Sequence, residues 1–398
     1  MTLLDKQMDH FTKQSLNELV ASVTGPCISI YMPTERKGAE TQQGPIRLKN
    51  LLTQVTEELA AMDMRTPDIQ DLLAPIHALS GGNQFWQYQS DGLAILLAPD
   101  LLATYRVPLP FKETAIVNDR FYIKPLLPML SGDGAFYLLT LTQGGVQLFY
   151  GSRFSLSEVE LGEGVPKSLA EELRYDDFEA SLQSHTASAP SVGGDRGSAI
   201  FHGHAGGGEK SETKEHLLRF FRQLDNGVRD IIEGNEHPPL LLAGIDSLRG
   251  LYGQVNQYKN LLAEGVDHDP EALTTQELHE RAWSIVKPIF ATKQQDALDA
   301  YHHLAGTADA RAAHTIEQIA PAAYFQRVDT LFMPQDISIW GTFDPTKNKV
   351  LTQQERQPGD EDLVDFAAVH TLVNGGTVYM VEPERLPEGT TLAAILRY

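Results

Sequence analysis

Apolar positions along the chain change period several times, and each change predicts an element. SLNELVAS, with Ser15 as candidate N-cap, reads as a short amphipathic helix within residues 1–20. CISIYMP follows a Gly-Pro start and places Cys27, Ile28, Ile30 and Tyr31 in a buried strand that Pro33 ends. Pro45 suits the first turn of a helix, where the N–H it lacks would have no intrahelical partner anyway. Ile46, Leu48, Leu51, Leu52, Val55 and Leu59 give that helix an apolar face. FWQYQSDGLAILLAP reads as two strand-like runs about a turn at Asp91-Gly92. RVPLPF and FYIKPLLPML read as extended, proline-punctuated segments that close a first domain, residues 1–130.

A new rhythm then begins. AFYLLTLT, GGVQLFYGS and FSLSEVEL are consecutive strands with glycine turns, a meander, followed by a short helix over residues 169–174. A helix over residues 214–233 sets Leu217, Phe220, Phe221, Leu224, Val228 and Ile231 on one side. PLLLAGID is a buried strand, and residues 248–262 are helical; together these make a second α/β domain, residues 131–268. The third, residues 269–398, opens on a helical pattern with apolar Leu278, Trp283, Val286, Ile289, Phe290, Leu298 and Tyr301, which Pro288 should kink or break. HTIEQIAPAA is helical and VDTLFMP a strand; DEDLVDFAAVHTLV is a helix ended at Gly375, and TVYMVEP and AAILRY are closing strands. The expected fold class is therefore α/β, in three α/β domains.

Between the meander and the following helix, residues 184–214 break every period. SHTASAPSVGGDRGSAIFHGHAGGGEKSETK holds seven glycines together with His185, Phe201, His202 and His204. A loop of that length inside a domain is functional or disordered. Gly193, Gly194, Gly203, Gly206, Gly207 and Gly208 precede a helix, where anions bind, but the spacing fits neither GxxxxGK[ST] nor GxGxxG after a strand. His185, His202 and His204 are candidate metal ligands, since HxH resembles zinc sites, but no Cys or carboxylate lies at ligand spacing beside them and solvated histidines are the plainer reading. Histidines and aromatics also stack on RNA bases, which leaves open an RNA contact or solvated histidines.

Composition narrows the function classes. The 398 residues suit two or three domains, and 42% hydrophobic with 21% charged residues is ordinary for a folded soluble protein. Cys27 is the single cysteine, which fits a reducing cytosol; the start, MTLLDKQMDHF, shows no signal pattern, and no apolar run reaches membrane-spanning length. The net charge of −21 argues against nonspecific nucleic-acid binding through overall charge. Arg36, Lys37, Arg47 and Lys49 are a local exception, either a solvated face or a phosphate-contacting patch. No GxSxG occurs, Cys27 lies in an expected buried strand, and the carboxylates are scattered, so no catalytic set stands out. His302 and His303 sit mid-helix, and Trp86, Trp283 and Trp340 are expected to fill cores.

SIYMPTERKGAETQQGPIRLKNLL, FWQYQSDGLAILLAP, FYIKPLLPML, FYLLTLTQGGVQLFYG, IFHGHAGGGEK, ELHERAWSIVKPIF, RVDTLFMP with WGTFD, EDLVDFAAVHTL with NGGTVY, and AAILRY occur in this order over essentially the whole chain. In this they resemble the bacterial ribosome hibernation factors related to Pelota and the archaeo-eukaryotic class-1 release factors. The resemblance implies three α/β domains arranged as in release factors and Pelota. The first would face the decoding centre, the second reach the peptidyl-transferase centre, and the third contact a translational GTPase, elongation factor Tu. It implies a cytoplasmic binding protein, not an enzyme and without cofactor or metal, that occupies the vacant A site of the 70S ribosome on 16S and 23S rRNA under stress, with no membrane or DNA partner.

Release factors carry a hydrolytic Gly-Gly-Gln tip and an Asn-Ile-Lys-Ser codon-reading motif. Here the Gly-Gly pairs are followed by Asn83, Val146, Asp195, Gly208 and Thr377, and Asn-Ile-Lys-Ser is absent. The resemblance leaves a loop that contacts rRNA through His185, Gly193, Gly194, Arg196, His202, Gly203, His204, Gly206 and Gly207, and an N-terminal patch of Arg36, Lys37, Arg47 and Lys49. The alternative is a ribosome-associated peptidyl-tRNA hydrolase or RNase of the same superfamily, with His202 and His204 as acid/base groups.

Overall fold

The computed structural model describes residues 4–8, 11–21, 25–35, 43–80, 83–87, 89–130, 134–142, 144–162, 165–166, 168, 209–232, 237–387 and 389–398. The chain forms two compact units, one of Met1–Asp133 with Ile289–Tyr398 and one of Gly134–Pro288. The boundaries read from the sequence, 130/131 and 268/269, stand beside 133/134 and 288/289. The later boundary falls within a long helix. The fold is mixed α/β with several sheets.

The first unit begins with β1 (Leu4–Met8), α1 (Lys13–Ala21), β2 (Cys27–Pro33), α2 (Gln43–Ala61), α3 (Thr66–Ser80), α4 (Asn83–Gln87), β3 (Gly92–Ala98), β4 (Leu101–Val107) and β5 (Thr114–Asn118). Its sheet runs β1-β4-β3-β2-β5, with β1 parallel to β4 and the other pairs antiparallel. Leu48, Leu51, Leu52, Val55 and Leu59 of α2 and Ile69, Leu73 and Ile76 of α3 bury against Ile28, Ile30, Met32 and Ile95 of the sheet.

Local physics corrects several expectations here. Thr12, not Ser15, caps α1: its hydroxyl accepts from the Ser15 amide at 3.2 Å, and the Ser15 hydroxyl accepts from the Thr12 amide at 3.3 Å. Ile46 is 62% exposed, because its position points away from the stripe made by Leu48, Leu52 and Leu59. FWQ lies in α4 rather than a strand, and Trp86 packs where a Cβ on Gly44 would come within 2.4 Å of its ring. PLLPM of the expected extended run is a 3₁₀ helix, Lys124–Met129, started by Pro125 in its first turn.

The second unit has β6 (Phe136–Leu141), β7 (Val146–Gly151), β8 (Leu156–Val159), α5 (Glu209–Ile232), β9 (Leu240–Gly244), α6 (Asp246–Val255) and the first part of α7 (Thr275–Gly306). The meander is present, and β9 adds parallel to β6, giving the order β8-β7-β6-β9. Phe220, Phe221, Leu224, Val228 and Ile232 of α5 pack on Leu139, Leu148, Leu240 and Leu242. The helix expected over 248–262 ends at Val255; residues 256–262 leave it to run beside β9, where the Leu240 amide donates to Asn260 at 2.9 Å and the Leu262 amide to Leu240 at 2.9 Å. The helix expected over 169–174 lies outside the described residues.

Helix α7 continues through Pro288 rather than breaking. Beyond it the first unit resumes with β10 (Ala312–Ala313), α8 (Ile316–Tyr324), β11 (Val328–Met333), β12 (Trp340–Asp344), β13 (Lys349–Thr352), β14 (Glu361–Asp362), α9 (Leu363–Val373), β15 (Thr377–Met380) and β16 (Ala393–Leu396). Sheet β10-β16-β11-β15 is joined by a small sheet β13-β12-β14 that the residue pattern did not announce. Gly375, at φ +75°, turns the chain out of α9 as expected. Trp86 is buried, while Trp283 and Trp340 are only half-buried, so the expectation of three core tryptophans holds for the first alone. His302 and His303 lie exposed on α7.

Candidate functional site

His185, Gly193, Gly194, Arg196, His202, Gly203, His204, Gly206 and Gly207 lie outside the described residues, as do Arg36 and Lys37. Arg47 and Lys49 sit on α2. Arg47 donates to Glu113 at 3.0 Å and to Gln43 at 3.0 Å, so its charge is already paired, whereas Lys49 is exposed. Cys27 is fully buried in β2, where burial pushes its thiol up to about 12; it is inert, as the strand position implied. Among the described residues, no group of three His, Cys, Asp or Glu side chains is arranged to hold a metal, and no helix is long and apolar enough to cross a membrane.

The structure instead brings together residues the sequence reading did not single out. In the first unit, Leu19 and Val20 of α1, residues 118–123, Trp340, and the β14–α9 segment surround a cavity of about 380 Å³. The surrounding framework is a set of buried polar ties. Lys124, 3% exposed, meets the Asp362 carboxylate at 3.0 Å and the Ser338 hydroxyl at 3.0 Å, and also donates to the Ile337 carbonyl. Asp362 in turn caps α9, accepting from the Val364 amide at 3.0 Å, and accepts from the Ile339 amide at 3.2 Å. Asp365 accepts from the Ile123 amide at 3.1 Å. The Arg356 guanidinium forks onto Glu58 at 3.0 and 3.2 Å and donates to the Val117 carbonyl at 3.1 Å.

Burial sets the protonation states. It lifts the Asp365 carboxyl well above the usual carboxylate range, and the neighbouring Asp362 charge adds to the shift. Burial raises Glu361 as well, with Arg120 opposing. At the cavity lip, Arg120 lies 4.8 Å from the Phe366 ring centroid, 3.3 Å from His370 Nε2 and 3.7 Å from Glu361. A guanidinium only donates, so His370 Nε2 accepts and the ring is neutral.

Burial first, then Arg120, hold His370 down at about 4. The unfolded ring takes its proton near 6.5, before the folded one, so this group's contribution is full above 6.5 and is lost as pH falls toward 4. His370→Phe, which keeps the ring against Phe366 and Tyr324, should abolish that component, about 2 kcal/mol of differential stability between pH 7 and pH 5. Urea unfolding of both proteins at the two pH values checks it; parallel losses in both would contradict it. Asp365 and Glu361, raised instead of lowered, act with the opposite sign in both proteins and cancel in the comparison.

In the second unit, the buried Asp225 accepts from the Tyr252 hydroxyl at 3.0 Å and the Gln257 amide at 3.1 Å, and pairs with Arg229 at 3.2 Å. Burial and the Asp225 charge hold the Tyr252 phenol well above its ordinary value. This network ties α5, which directly follows the glycine-rich stretch in sequence, to α6 and the turn that follows it.

Residues 136–288 match the family model of Bacterial archaeo-eukaryotic release factor family 7. The match coincides with the second unit, Gly134–Pro288, to within two residues. No curated protein matches the chain. Among solved structures, an archaeal translation termination factor, aRF1, aligns at 14% identity and TM-score 0.23 over 98% of this chain and 99% of its own. Dom34 of S. cerevisiae, a translation termination-like factor, aligns at 12% identity and TM-score 0.33 over 77% and 74%. Archaeal Pelota, from a complex of ribosome-bound Pelota and ABCE1, aligns at 11% and 0.33 over 100% and 99%. Scores this low establish no shared arrangement, and the family match is confined to residues 136–288.

The sequence did hold a signal for the cavity framework. Lys124 lies in FYIKPLLPML, and Asp362 and Asp365 in EDLVDFAAV; ionisable residues inside apolar runs are buried and paired or functional. What it lacked was any sign that these runs, over two hundred residues apart, meet.

Proposed function

We propose that this protein is a ribosome-associated, release factor-like factor that occupies the vacant A site without hydrolysing peptidyl-tRNA, a hibernation factor of the Balon type. The observation that supports this best is the family match over residues 136–288 in a chain that has no Gly-Gly-Gln. In this reading the N-terminal segment faces the decoding centre with Arg36, Lys37, Arg47 and Lys49. The loop from His185 to Gly208 enters the peptidyl-transferase centre, and the C-terminal segment contacts elongation factor Tu. Glycines let a backbone approach RNA closely, and a loop that orders on binding can fill a narrow cavity at about 1–2 kcal/mol per residue fixed. The acidic body, at −21, confines contact with rRNA to such loops and patches.

Deleting residues 187–208 should lower the affinity for isolated 70S ribosomes at least tenfold, about 1.4 kcal/mol, read by co-sedimentation at fixed salt. Unchanged co-sedimentation would remove the loop from the interface. Peptide release from peptidyl-tRNA-loaded ribosomes that is lost on His202→Ala would replace this reading with a hydrolase.

A further inference from the structure

The cavity in the first unit has no part in the ribosome reading, and its walls select a ligand class of their own. Leu19, Ile116 and Phe121 are buried apolar lining residues; Phe366 and Trp340 line the space too, with Arg120 over the Phe366 ring and Arg356 over the Trp340 ring. At about 380 Å³ the space falls within the roughly 300–1,000 Å³ usual for small-molecule sites. Glu361, with 21% of its side chain exposed, lines the space. Among the described residues its carboxyl accepts no hydrogen bond, since Arg120 stands 3.7 Å away and is engaged with His370 and the Phe366 face.

A carboxyl group in this position has a specific complement. When protonated, its O–H donates to a ring nitrogen while its carbonyl oxygen accepts from an adjacent amino group. When ionised, it accepts from the amino group and from the ring nitrogen if that is protonated. An N–C–NH2 edge on a flat ring satisfies both arrangements, and the apolar and aromatic lining suits such a ring. A phosphate is disfavoured: Asp119 and Asp362 line the same space, and Arg120, the one Arg or Lys among the lining residues, is engaged with His370 and the Phe366 ring.

We propose that this cavity binds an aminopurine of the adenine kind, as free base or nucleoside without phosphate, with its amino edge on Glu361. Burial, which raises Glu361 above the usual carboxylate range, favours the protonated pairing. The site is independent of ribosome binding and stands or falls separately from it.

Titration calorimetry of the full chain tests it with adenosine, purine riboside (which lacks the amino group) and AMP. Adenosine should bind saturably, and purine riboside and AMP at least tenfold more weakly. Glu361→Leu should weaken adenosine at least tenfold. Val20→Trp, at a 38% exposed lining position where a larger side chain fills the mouth, should abolish binding without lowering the melting temperature. No saturable adenosine heat, purine riboside or AMP within threefold of adenosine, or wild-type affinity in either variant overturns the proposal.

Discussion

Lys124→Met should cost the first unit about 3–5 kcal/mol of stability, the usual penalty for removing one partner of a buried ion pair. Lys124 is 3% exposed, and its ammonium lies among the Asp362 carboxylate, the Ser338 hydroxyl and the Ile337 carbonyl. Met matches the stem of lysine but leaves that carboxylate oxygen without a counter-charge away from water. The cost arises from the stranded charge rather than from lost packing, so Lys124→Met with Asp362→Asn should recover part of it: the amide still caps α9 with its carbonyl oxygen. A double-mutant cycle in urea reads the coupling directly, and equal losses in the single and double variants would refute the account. Because Lys124 and Asp362 are 238 residues apart, the same variants should also loosen the contact between the two stretches of chain that build the cavity.

Asp225→Ala should destabilise the second unit by about 3–5 kcal/mol. Asp225 is 1% exposed and holds Tyr252, the Gln257 amide and Arg229 at once. Its loss leaves a buried hydroxyl and a backbone N–H without their common acceptor, and removes the counter-charge beside the Arg229 guanidinium. Tyr252→Phe removes only one of those bonds and should cost about 1 kcal/mol. Hydrogen exchange localises the effect: amides of α5 and α6 should lose protection in Asp225→Ala, while β2 and β3 of the first unit keep theirs. Similar losses for the two variants would mean that the carboxylate is not the hub.

Most elements of the fold were legible from the residue pattern where an element buries one clear face. α5 shows this with Phe220, Phe221, Leu224 and Val228, and the β6–β8 meander with glycine at its turns. Legibility failed where the period was ambiguous or absent. FWQ is short, and the contact of Trp86 with Gly44 of α2 leaves no local pattern. The β12–β13 hairpin is half exposed, so apolar alternation does not mark it. α3 carries Pro75 inside the helix, which masks its period.

For the candidate sites the division is sharper. By itself the sequence determined that a glycine- and histidine-rich stretch precedes α5 in the chain, that Gly-Gly-Gln is missing, and that the chain is strongly acidic. Those are properties of composition and spacing, carried by the chain in any conformation. Only the tertiary structure decided that Lys124 meets Asp362, that Arg120 rests on Phe366, and that Glu361 is left facing a cavity. Contacts across more than two hundred residues leave no local periodic trace; they exist because the first and last parts of the chain bury apolar surface together and must pair every charge they take out of water.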